Sequence, residues 1–119
     1  MRSVLAPAGE VVTVFDALRA GRLVGAASLA AMLTPVPMTA RGMDWLFQQK
    51  GYVLGLMIGP APRYGVLARH GGGGPGYSAG VLTADAGGRR ATAVALANTD
   101  TPELGMQVAA ALLAAAWTG

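Results

Sequence analysis

Cysteine is absent from the 119 residues, which removes disulfide frameworks, thiol nucleophiles and cysteine-bound zinc together. Histidine occurs once, as His70, too few for a histidine-based metal cluster, and no cofactor is expected. Lysine also occurs once, as Lys50; the other eight basic residues are arginines. Charge is scarce, at 13% of residues where an ordinary domain carries roughly 25%. The net charge of +3 is scattered singly apart from Arg89-Arg90, with no basic stripe interleaved with aromatics, so nucleic acid is not an expected partner. Long apolar runs are missing too. The longest, Val108 to Trp117, has ten residues, where a spanning helix needs about 20. Near the N-terminus, Glu10 interrupts the apolar stretch too early for a signal peptide. The expectation is a chain without a membrane span, cytoplasmic as it stands.

Hydrophobic residues make up 53% of the chain and the mean hydropathy is +0.45, which excludes disorder. The length suits one domain, 1–119, with a helical edge over 1–50 and a sheet plus terminal helix over 51–119. Val11, Val14, Phe15 and Leu18 form one helical stripe between Pro7 and Gly21, the latter placed as a C-terminal cap. A short helix follows at 26–33, ended by Thr34-Pro35-Val36-Pro37. Residues 34–50 read as a loop holding the amphipathic piece Met43-Asp44-Trp45-Leu46-Phe47. Strands are predicted at 52–58, 66–72, 77–84 and 89–97, with Gly59-Pro60-Ala61-Pro62 breaking the first from the second and Asp85-Ala86-Gly87-Gly88 turning the last two. These strands are apolar nearly throughout, so both faces of the sheet should be covered. Thr101, Pro102 and Glu103 suit the start of a final helix, apolar on nearly every side from Leu104 to Trp117. The fold class is α+β: a short antiparallel sheet with the C-terminal helix on one face.

His70-Gly71-Gly72-Gly73-Gly74-Pro75-Gly76 reads as no regular element, and consecutive glycines carry an entropic penalty. It is either a flexible loop or a place where a substrate approaches the backbone and unblocked N–H groups hold an anion. A phosphate loop fails for want of Gly-Lys-Ser/Thr and a following helix. Gly76-Tyr77-Ser78-Ala79-Gly80 spells the nucleophile-elbow pattern of α/β-hydrolases, yet a strand rather than a helix follows and no histidine lies downstream.

The same glycine segment, with the order of elements about it, resembles the C-terminal part of the serine β-lactamase and penicillin-binding-protein-like family, especially its class C-type esterases and related hydrolases. The stretches carrying the likeness are Ala8–Leu18, Ala27–Pro35, Gly51–Leu56, His70–Ser78 and Val94–Thr99. The resemblance implies a partial fold of that kind, acting on an ester, an amide or a β-lactam. His70 would take the basic position of the family's third box, Gly71 the variable one and Gly72 the required glycine. Gly73 would supply one N–H of the oxyanion hole. The family's Ser-x-x-Lys and Tyr-x-Asn are not found: Phe47 stands three before Lys50, and Leu54, Val66 and Ala79 follow the three tyrosines at the third position. An activated serine needs a base in reach, so the chain alone is expected to be inactive. The partners expected are the missing N-terminal part of the domain or a second copy. The competing reading is a non-catalytic remnant or a module covered by self-association or a partner. Asp85 is assigned to the hairpin turn, Asp44, Arg63, Arg69, Arg89 and Arg90 to solvated surface, and Trp45, Phe47 and Tyr52 to packing or a cleft wall.

Overall fold

The computed structural model describes residues 4–34, 36–37, 51–53 and 55–118. Helix α1 (Ala8–Arg19) and helix α2 (Ala26–Met32) come first. Six strands follow: β1 (Val36–Pro37), β2 (Gly51–Val53), β3 (Leu56–Ala61), β4 (Gly65–Gly74), β5 (Tyr77–Ala86) and β6 (Arg89–Ala97). Helix α3 (Leu104–Ala116) closes the chain. The strands form one antiparallel meander in sequence order, so the protein is α+β with a C-terminal helix on its sheet.

The C-terminus of α1 is a Schellman motif, with Arg22 N–H donating to Ala17 O and Gly21 N–H to Leu18 O. Strand alternation divides the sheet into two faces. On one, Leu67, Leu82, Ala84, Ala93 and Ala95 pack against Met106, Ala109, Leu113 and Trp117 of the α3 region. On the other, Leu56, Ile58 and Ala68 meet Phe15 and Leu18 of α1 and Leu33 after α2. Both faces are thus covered in part.

Several expectations need correction. The run 52–58 is two strands, β2 and β3, folded back at Gly55. Gly59-Pro60 does not break the second of them. Pro60 lies in β3 where β2 no longer pairs with it, so its missing N–H leaves no ladder bond unmade. The glycine stretch is regular as far as Gly74, because β5 pairs with it residue for residue. Thr101 does not cap α3. Thr101-Pro102-Glu103 forms a turn closed by Leu104 N–H on Thr101 O, and the helix starts after Glu103, whose φ is +62°. Nor is α3 buried all round: Val108 and Leu112 lie open, Leu112 at 50%.

Arg69 is not solvated surface but 4% exposed, on the α3 face of β4. Arg63 and Arg89 stay exposed yet work as clamps on the end of α3. Arg63 donates to Ala114 O while its own carbonyl accepts from Trp117 Nε1, and Arg89 lies 4.2 Å over the Trp117 ring. The pieces assigned to Asp44, Trp45, Phe47 and Lys50, and the side chain of Tyr52, lie outside the described residues.

Candidate functional site at the open end of β4

The site is built by a two-residue turn. Pro75 presets φ for the first turn position, and Gly76 supplies the φ of +83° that a type II turn needs at the second. Such a turn makes Gly74 and Tyr77 a hydrogen-bonded pair. Bonded and non-bonded pairs then alternate along the ladder, so Gly72 with Ala79 and His70 with Val81 are bonded as well. Gly71 and Gly73 therefore turn their N–H and C=O groups away from β5. Pairing between β3 and β4 ends at Met57 with Arg69. From His70 to Gly74 this edge carries no strand among the described residues.

The four sequence-predicted residues thus lie together. His70 and Gly72 belong to the α1 face, beside Val81 and Ala79; Gly71 and Gly73 belong to the α3 face and point backbone donors along the sheet plane. A cleft of about 610 Å³ lies over the α1 face, walled by Val4, Val11 and Phe15 on one side and by His70, Val81 and Leu96 on the other. Its lining is predominantly apolar, as in small-molecule sites, with the half-buried imidazole at its rim.

The glycines differ in why they are glycine. A Cβ on Gly74 would meet the Tyr77 ring at 2.6 Å, so close packing explains that position. On Gly72 and Gly73 a Cβ would meet neighbours only at 3.8 and 3.7 Å, ordinary contact distances. Nothing among the described residues demands glycine there. A side chain at either position would instead stand beside the backbone edge that is open among the described residues.

Ser78 is no nucleophile. It is the second residue of β5, 6% exposed, and its Oγ accepts the Gly105 N–H at 3.1 Å, satisfying one donor at the start of α3. The elbow pattern is coincidental, since a strand holds the serine side-on to α3. Among the described residues no group of His, Cys, Asp or Glu is arranged to hold a metal, and no helix is long and apolar enough to cross a membrane.

Sequence reasoning overlooked Asp16, which accepts from Thr92 Oγ1 at 2.6 Å, and Arg19, which reaches Asp85. Both fix α1 over the sheet and so set one wall of the cleft. Their signal was present as polar residues beside the apolar stripe of α1, but only the fold supplies their partners.

Amide exchange tests the edge geometry. Gly72 and Gly74 should be protected, whereas Gly71 and Gly73 exchange at least tenfold faster, an alternation visible by NMR. Uniform protection over 71–74 would mean that the edge is covered. Family models, curated proteins and solved structures alike yield no match to this chain.

Proposed function

We propose that this chain provides one wall of an acyl-transfer site of the β-lactamase-related serine hydrolase kind, acting on an ester, amide or β-lactam. His70, Gly71 and Gly72 serve as its third box and Gly73 N–H as an oxyanion donor. The observation that carries this reading is the pair of outward N–H groups on Gly71 and Gly73, on an edge that no strand covers among the described residues, with a glycine between them that packing against those residues does not require. Donors held in a strand are pre-aimed at developing negative charge, the principal requirement of an oxyanion hole. His70 at the cleft rim can orient a carboxylate or pass on a proton. The serine nucleophile and its base come from other polypeptide. This extends to a partial fold of that family, of which the sheet and C-terminal helix are the coarser framework.

Methylphosphonate, a tetrahedral oxyanion mimic, tests the reading directly on the chain. Its titration should move the Gly71 and Gly73 amide resonances and the His70 ring, and Gly72→Val should weaken binding about tenfold while the circular dichroism stays unchanged. Shifts elsewhere, or none, would overturn it. The purified chain should not turn over p-nitrophenyl esters or nitrocefin. Turnover abolished by Ser78→Ala would restore the elbow reading. Otherwise that substitution only strands the Gly105 N–H, lowering stability by about 1–2 kcal/mol.

The second reading, a non-catalytic module, is favoured by the engagement of Ser78 with α3. It predicts the same lack of turnover but no response of the glycine amides to the phosphonate.

A further inference from the structure

The sheet has a second uncovered edge, at β6, the last strand of the meander among the described residues. Natural edges are blunted by proline, lysine, bulges or very short strands. The nine residues Arg89–Ala97 have no proline, lysine or bulge and carry charge only at one end, on Arg89 and Arg90, and their pairing with β5 is uninterrupted. The Gly87-Gly88 turn, with φ of +54° and +97°, closes on Ala86 and Arg89 as a bonded pair. By the same alternation Arg90, Thr92, Val94 and Leu96 aim their N–H and C=O groups outward. Leu96, a large apolar side chain at this edge, is 49% exposed.

We propose that β6 pairs antiparallel with β6 of a second copy of this chain, centred on Ala95, so that the sheet continues across a two-fold axis. The side chains choose both the occupant and the register. With Ala95 opposite its own counterpart, Val94 lies opposite Leu96, Thr92 opposite Asn98 and Arg90 opposite Asp100, each pair occurring twice by symmetry. Apolar meets apolar, amide meets hydroxyl, and cation meets anion, the pairings that stabilise opposed strands. Centring on Val94 instead puts Arg90 opposite Asn98. Centring on Ala93 puts it opposite Leu96 and sets Thr92 against Val94. Neither register uses Asp100. The ladder itself ends at Ala97 and the chain bends at Asn98 and Thr99, so both outer pairs lie past its end and are bridged by side-chain reach, Asn98 to Thr92 and Arg90 to Asp100. Arg90 uses its Nε on Asp85, and its terminal nitrogens still offer donors. The self-complementary edge is independent of the acyl-transfer reading.

Sedimentation at micromolar concentrations tests it. The parent chain should be a dimer. Asp100→Arg alone should raise the dimer dissociation constant about tenfold, because both symmetric pairs become repulsive. Arg90→Asp alone should do the same. Mixing the two variants should restore association, since each copy then meets the opposite charge at both ends. Leu96→Lys should also give monomer, with unchanged circular dichroism. A monomeric parent chain, as expected if the edge serves a different polypeptide, would overturn the proposal. So would a dimer indifferent to Asp100→Arg and Leu96→Lys, or variants that do not associate when mixed.

Discussion

Gly80→Ala should lower stability by about 2–3 kcal/mol, with α3 lifted from the sheet. A Cβ at this position would lie 2.6 Å from both the backbone N and the Cα of Met106. Because the obstacle is backbone, no rotamer change relieves it. The strand and helix axes themselves must separate, which opens the contacts of Met106, Ala109 and Leu113 with Leu67 and Leu82. Gly105→Ala meets the same contact from the other side, with its Cβ 2.7–2.9 Å from the backbone of Ala79. In an ordinary helix, glycine to alanine is stabilising by about 1 kcal/mol, so a loss at Gly105 inverts the usual sign. Gly9→Ala in α1 is the control: nothing lies within 4 Å of its Cβ, and a gain of about 0.5 kcal/mol is expected. The Gly80→Ala/Gly105→Ala double variant should lose less than the sum, because one displacement of α3 relieves both contacts. Urea titrations followed by circular dichroism measure all four. A Gly80→Ala chain as stable as the parent would show that α3 is not seated so closely.

That contact marks where the sequence stopped being legible. The spacing of Val11, Val14, Phe15 and Leu18 gave α1, and Gly87-Gly88 between apolar runs gave the last hairpin, because each signal is local. The strands β4, β5 and β6 followed from their apolar runs, whereas the run 52–58, read as one strand, is two. What failed were features decided by neighbours distant in the chain. Gly71 to Gly74 read as irregular because strand propensity counts glycine against a strand, whereas here the facing residues of β5 hold them in register. Thr101 looked like a cap because its place in the sequence is right, but the left-handed Glu103 starts the helix later. Arginine by itself suggests a solvated side chain, and no local pattern announces that Arg69 lies under α3 or that Arg19 finds a carboxylate 66 residues away. The candidate site was legible as residue types, namely a histidine and free glycines. Its open edge emerges only from the register of β3 and β4.

Arg19 carries the second large effect. Its side chain is 6% exposed, and Asp85, 28% exposed, holds it at 3.2 Å and holds Arg90 at 3.3 Å. Burial pulls the pKa of Arg19 down, Asp85 pulls it back up, and Arg90 adds to the lowering. Among the described residues Nε and Nη1 of Arg19 have no hydrogen-bond partner, and Asp85 is the carboxylate that compensates a guanidinium packed between α1 and the sheet. Asp85→Asn removes the charge without changing the shape. It should destabilise by about 2–3 kcal/mol, below the 3–5 kcal/mol of a fully buried pair because Asp85 is partly open to water. Arg19→Met should instead stay within about 1 kcal/mol of the parent, because it fills the same space with apolar surface and leaves Asp85 its partly exposed partner Arg90. The asymmetry is the diagnostic: losing the anion strands a buried cation, whereas losing the cation strands nothing. In the Arg19→Met/Asp85→Asn double variant most of the Asp85→Asn loss should disappear, since no buried charge remains to be compensated. Equal losses from both single substitutions, summing in the double, would show that the two side chains act separately and that burial of Arg19 is not what makes Asp85 matter.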